Sequence, residues 1–188
     1  MKKRSAYWKA KNIFDCWMLS LFFKGLIEHK TIPLELFMKP MKVKFDDGLT
    51  TFKIQAGNVN VITGTSENLY RSTLGTCFIA FDEALLDLFG KRPARDNNDL
   101  NSLRMIIYMM RCSIAHDPAE PKWEIRHPKY KKLIKINEIN FKIDFTDLDG
   151  KIVIFEHHDG SSGLSKLMDY CLKTIKAKEE GNNREENA

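Results

Sequence analysis

Leu103-Arg104-Met105-Ile106-Ile107-Tyr108-Met109-Met110 runs straight into Arg111-Cys112-Ser113-Ile114-Ala115-His116-Asp117-Pro118. The proline fixes where this stretch must stop being a helix. A residue before proline is pushed out of the right-handed helical region. Asp117 therefore leaves the helix, which ends around Ala115 or His116. At the other end Asp96-Asn97-Asn98-Asp99 supplies several N-caps. The spacing predicts a helix over 99–115, with Leu103, Ile106, Ile107 and Met110 in the core.

The same stretch sets an arginine five residues before a histidine. Five residues turn a regular helix by about 500°, so Arg111 and His116 point roughly 140° apart on it. Fraying at His116 lets the imidazole swing back over the last turn. A cation there is favoured by about 0.3–1 kcal/mol through the helix dipole. A guanidinium grips phosphate bidentately, and histidine titrates in the range where proton transfer is useful.

The pattern Arg-x4-His, carried by Arg111 to His116 at the end of a long apolar helix and followed by Asp117, resembles the signature of the HEPN superfamily. The resemblance implies a helical bundle of about four helices and a metal-independent endoribonuclease without a cofactor. It implies a homodimer in which two Arg…His motifs form one composite site. Arg111 would hold the scissile phosphate of a single-stranded RNA, and His116 would be the acid–base group. Family context points to a toxin–antitoxin or antiviral defence system, with an antitoxin or regulatory protein as partner. Cys112 stands where the family often has a polar residue, commonly Asn. The alternatives are a catalytically inactive module of the same fold that binds RNA, nucleotide or protein, and an unrelated helical protein whose Arg111 and His116 cap a helix end.

The chain of 188 residues has 43% hydrophobic and 29% charged residues, which suits one globular domain. A formal net charge of +5 permits a nucleic-acid partner without demanding one. Cys16, Cys77, Cys112 and Cys171 form no C-x-x-C, so neither a zinc site nor a disulfide framework is expected. Free thiols suit a reducing cytoplasm. The apolar run from Ile13 to Phe23 contains Asp15 and is flanked by lysines, which reads as a core helix rather than a signal peptide or membrane span.

The pattern along the chain predicts an α+β fold, mainly α, as a single domain over 1–188. Residues 1–118 are mostly helical, with short strands in 40–65. A helix covers Ser5 to His29 and a second covers Leu69 to Phe89, ended by Gly90. Val43-Lys44-Phe45 and Phe52-Lys53-Ile54 flank Asp46-Asp47-Gly48 as a hairpin, and Val59 to Ile62 reads as a further short strand. Residues 119–160 form a basic connector and an antiparallel hairpin or small sheet, in which Ile134–Asn137 and Ile139–Phe145 alternate with period two and Lys151–Glu156 follows the Leu148-Asp149-Gly150 turn. A closing helix spans 161–178, and 179–188 reads as a disordered tail.

Between Arg126 and Lys135 lie five Lys or Arg residues and Tyr130. Arg126, Lys129, Tyr130, Lys131 and Lys132 are candidate RNA contacts, since lysine and arginine bind a phosphate backbone without reading sequence. Arg104, two turns before Arg111, extends that track or pairs with Asp96 or Asp99. Lys91 to Arg95 reads as a solvated basic loop, with phosphate contact as the alternative. His157 and His158 alternate faces if on a strand, and no metal site is assigned to them.

Overall fold

The structure is a computed structural model that describes residues 5–38, 41–45, 48–52, 59–115, 117, 120–154, 157 and 160–185. Its body is four helices: α1 (Ala6–Glu28), α2 (Val59–Phe89), α3 (Asp99–Ala115) and α4 (Gly160–Glu185). Two separate antiparallel hairpins join them, β1 (Met41–Phe45) with β2 (Gly48–Phe52), and β3 (Leu133–Ile136) with β4 (Phe141–Asp144). The fold is α+β and mainly α. No helix among the described residues is long and apolar enough to cross a membrane.

α1 begins at an N-cap, Ser5, whose hydroxyl accepts the Trp8 amide at 3.0 Å. Its inner face buries Ala10, Trp17 and Ile27. Phe14 stacks on Phe81 with ring centroids 6.4 Å apart, and Trp17 tilts against Tyr70. The opposite face is apolar too: Leu19 and Phe22 are 68% and 62% exposed.

α2 starts at Val59, ten residues before the Leu69 that periodicity suggests, so 59–62 is helix rather than strand. The buried positions explain this. Ile62, Ser66, Tyr70, Leu74, Phe78, Phe81 and Leu85 continue one stripe back into the segment, and Ile62 joins Ile27 and Phe23 of α1. Tertiary packing overrides the strand preference of a β-branched run. The stripe falls on serine and tyrosine at two points, which hides it from an apolar count.

In β3–β4 the alternation is clean. Ile134, Ile136, Phe141 and Ile143 are buried, while Leu133, Lys135, Lys142 and Asp144 face out. Asp99, the first residue of α3, accepts the Asn137 amide at 3.1 Å and the Glu138 amide at 2.8 Å, which ties the turn between the strands to the helix start. Of the predicted third strand over 151–156, residues 151–154 form no strand, and 155–156 lie outside the described residues. Instead 151–153 lies against the connector at 121–123, with a single bridge between Lys122 and Ile152. Trp123 donates its amide to the Lys151 carbonyl, and Val153 donates to Pro121. Pro121 has no N–H of its own to continue a ladder.

Trp123 is 1% exposed, meets Phe145 edge-on at 5.2 Å and donates its indole N–H to His157 Nδ1 at 3.0 Å. α4 buries Leu164, Leu167, Met168, Cys171, Leu172 and Ile175. It continues to Glu185, past the predicted end at 178, so 179–185 is helix rather than tail. A carboxylate oxygen of Glu179 accepts the Ala6 amide at 2.8 Å, joining the last turns of α4 to an orphan donor at the start of α1.

Two stability measurements follow from this packing. Trp123→Ala removes a fully buried indole and is expected to cost about 3–5 kcal/mol in urea unfolding. The two amides hold the Asp99 carboxyl below the usual carboxylate range, that of Glu138 contributing most. Its stabilisation is therefore present at neutral pH and fades as pH falls through the depressed folded value, below an unfolded value of about 3.9. The stability gap between wild type and Asp99→Asn should stay constant at neutral pH and narrow below about pH 4. A gap that ignores pH contradicts the hydrogen bonding.

Candidate functional site

The site is built where α2 and α3 pack together. Phe78, Phe81 and Leu85 of α2 are buried, and Asp82 on the same stretch of helix is itself 2% exposed. A carboxylate there needs partners, because unpaired burial of a charge is costly. Two arginines supply them. Arg92 donates Nε to Oδ1 at 3.2 Å and Nη2 to Oδ2 at 2.5 Å, and Arg111 donates Nη1 to Oδ2 at 3.0 Å. About a third of each arginine side chain stays exposed, 30% for Arg92 and 37% for Arg111. Asp82 raises the Arg92 pKa further above its ordinary value by hydrogen bonding.

Arg92 also lies over the Tyr108 ring, 4.2 Å from its centroid. Tyr108 tilts against Tyr130 at 5.7 Å. Its phenol pKa is raised, first by its hydrogen bond with the Cys112 thiol and then by burial. Burial raises the Cys112 thiol as well, against the opposing effects of Tyr108 and Arg111. Cys112 stands directly after Arg111 and is half-buried. Tyr108, Cys112, Glu124, Arg126, His127 and Tyr130 line a cleft of about 170 Å³ beside the arginines.

The candidate RNA contacts are placed unequally. Arg104 is 7% exposed and donates Nη2 to the carbonyls of Gly90 and Lys91 at 2.5 and 2.9 Å. It satisfies carbonyls at the end of α2, where Gly90 takes φ +69°, and it pairs with neither Asp96 nor Asp99. Burial lowers its pKa from the ordinary guanidinium value, while Asp82 opposes that shift. Lys131 pairs with Asp149 at 3.0 Å, and Lys132 pairs with Asp96. Lys129 lies over the Tyr130 ring at 4.8 Å. Tyr130 itself is 7% exposed, and Arg126 is 84% exposed in its side chain while bonded to Glu124 at 2.8 Å. The structure thus brings Arg126 and Tyr130 to the cleft beside Arg111, and pairs Lys131 and Lys132 with carboxylates. His116 lies outside the described residues. Asp117 is exposed and accepts the Glu120 amide at 3.1 Å.

Sequence reasoning misses Asp82, and it reads Arg92 as part of a solvated loop. A signal was present, since Asp82 directly follows Phe81 in the apolar stretch from Phe78 to Leu85, whose charged residues are Asp82 and Glu83. Among the described residues no three His, Cys, Asp or Glu side chains are grouped to hold a metal ion. No family model, curated protein or solved structure matches the chain.

Removing the shared carboxylate should be worse than removing either cation. Asp82→Ala leaves two neighbouring guanidiniums without their anion and is expected to cost about 1–3 kcal/mol, below the range for a fully buried pair because both arginines reach solvent. Arg92→Ala keeps the Asp82–Arg111 bond and should cost less. Urea unfolding of the two variants checks the order, and the reverse order contradicts a shared anchor.

Proposed function

We propose that the protein is a metal-independent endoribonuclease of HEPN type, in which Arg111 binds the scissile phosphate and His116 moves the proton. The observation that supports this reading best is the state of Arg111. Its guanidinium is fixed by one hydrogen bond to the buried Asp82, and a third of its side chain remains exposed at the end of α3. Asp82 positions the guanidinium from behind without enclosing it. Arg92 places a second cation on the same carboxylate, so a phosphate approaching Arg111 meets an excess of positive charge.

The chemistry needs no metal. The ribose 2′-hydroxyl attacks phosphorus, forming the P–O2′ bond and breaking the P–O5′ bond. One imidazole takes the 2′-hydroxyl proton, and a protonated imidazole gives a proton to the leaving 5′-oxygen. The products are a 2′,3′-cyclic phosphate and a 5′-hydroxyl. Arg111 stabilises the charge that develops on the non-bridging oxygens. A homodimer suits this scheme because two copies supply two histidines, one for each proton transfer. A defence or toxin role, an antitoxin or regulatory partner and a cytoplasmic location belong to the same proposal.

A catalytically inactive RNA-binding module is the second reading. Cys112 supports it, because the residue after Arg111 is a half-buried thiol rather than a polar amide.

The test is incubation with labelled single-stranded RNA in EDTA. Wild type should cleave and leave 2′,3′-cyclic phosphate ends. His116→Ala and Arg111→Ala should each lower the rate by about 100-fold or more, with His116→Ala keeping the unfolding midpoint. Cleavage that requires added magnesium overturns this mechanism. RNA retained in a gel shift without cleavage selects the inactive module. Light scattering of the wild type should give the mass of two chains.

A further inference from the structure

We propose that the cleft beside the arginines is a base-binding subsite selective for guanine. It rests on the ribonuclease reading for its natural ligand, a guanine next to the phosphate held at Arg111. The cleft and the arginine cluster are joined physically. Cys112 lines the cleft and follows Arg111 in the chain, and Arg92 lies on the ring of Tyr108, which forms another wall.

The volume and the walls suit one nucleobase. At about 170 Å³ the cleft is smaller than the roughly 300–1,000 Å³ of sites for drug-sized ligands. Three of its walls are aromatic, with His127 edge-on to Tyr130 at 6.3 Å and Tyr108 tilted against it on another side. Aromatic rings hold any base by stacking and discriminate little. Discrimination must come from the polar groups.

Those groups are Glu124 and Arg126. Arg126 Nη2 donates to Oε2 of Glu124 at 2.8 Å, and Oε1 makes no hydrogen bond with the described residues. The carboxylate is the more enclosed of the two, 33% exposed in its side chain against 84% for Arg126. The anchor is thus an acceptor with one oxygen left over, flanked by an exposed donor. Guanine offers the matching edge: N1–H and the N2 amino group as adjacent donors, with O6 as an acceptor beside them. Its two donors meet the Glu124 carboxylate, and O6 meets the Arg126 guanidinium. Adenine and cytosine each offer one amino group beside a lone pair, which would face the carboxylate. Uracil offers one N–H between two carbonyls. Each of these sets an acceptor against an acceptor, the mismatch that makes polar sites selective.

The test has two readouts. First, the 3′-monophosphates of guanosine, adenosine, cytidine and uridine are titrated calorimetrically into wild type and Glu124→Gln, with unfolding midpoints measured for both. Second, both proteins cut random-sequence RNA in EDTA and the ends are sequenced. Guanosine monophosphate should bind wild type at least about tenfold more tightly than the other three, and Glu124→Gln should erase that preference. Cuts should fall beside guanines in wild type. Wild-type selectivity is decisive even if Glu124→Gln fails to fold. Equal binding of all four nucleotides, or tightest binding of cytidine monophosphate, overturns the subsite. Cleavage without base preference alongside equal binding overturns it and leaves the ribonuclease standing. Selective guanosine binding that Glu124→Gln abolishes, without any cleavage, supports the subsite and removes the nuclease.

Discussion

A carboxylate between two helices organises this molecule. Asp82 is 2% exposed on a stretch of α2 whose Phe78, Phe81 and Leu85 are also buried, and it bonds Arg111 of α3. An ion in such surroundings carries a desolvation penalty of several kcal/mol unless partners offset it. Meeting that requirement fixes two things at once. Arg92 draws the connector after α2 back over the helix pair, and Arg111 fixes α3 against α2. Arg104 closes the arrangement from below by bonding the Gly90 and Lys91 carbonyls. Three guanidiniums thus gather around one carboxylate, two paired with it and one beside it. The surplus positive charge is held at a surface, since only there can it remain hydrated.

The β-unit completes the site from the other side. Trp123 anchors the connector through Phe145 and His157, and that anchoring brings Glu124, Arg126 and His127 against Tyr108 and Cys112 of α3. A hairpin of two strands is marginal by itself. Here Ile134, Ile136, Phe141 and Ile143 turn one face into the core formed with the helices, and Asp99 holds the turn. The cleft is therefore made of two elements, α3 and the connector after Trp123.

Much of the fold was legible because its signals are local. Asp117-Pro118 marks where α3 stops, and that helix ends at Ala115. The alternation in 134–136 and 141–143 marks the hairpin, and the inward residues of α4 are those its periodicity selects. What was illegible depends on contacts between distant residues. Val59 to Ile62 has strand composition and is helix, because Ile62 packs on Ile27. The last turns of α4 look like a polar tail and are helix, with Glu179 bonded to Ala6. For the site, Arg111 was legible as a motif residue, whereas its anchor was not. Asp82 is 29 residues away, and nothing in the spacing links it to Arg111 or Arg92.

The basic cluster from Arg126 to Lys135 shows why charge density in a sequence is a poor guide to charge at a surface. Lys131 and Lys132 meet Asp149 and Asp96, and Lys129 lies over Tyr130. Salt bridges this exposed contribute about 0–1 kcal/mol each, so they stabilise little. Their larger effect is on the field, because each local pair cancels most of its own potential within a Debye length of about 8–10 Å. The arginines at Asp82 differ in number rather than in kind: two cations share one anion, so one positive charge is left uncancelled. The net field at a surface follows how many cations share each carboxylate, and at Asp82 that ratio is two to one.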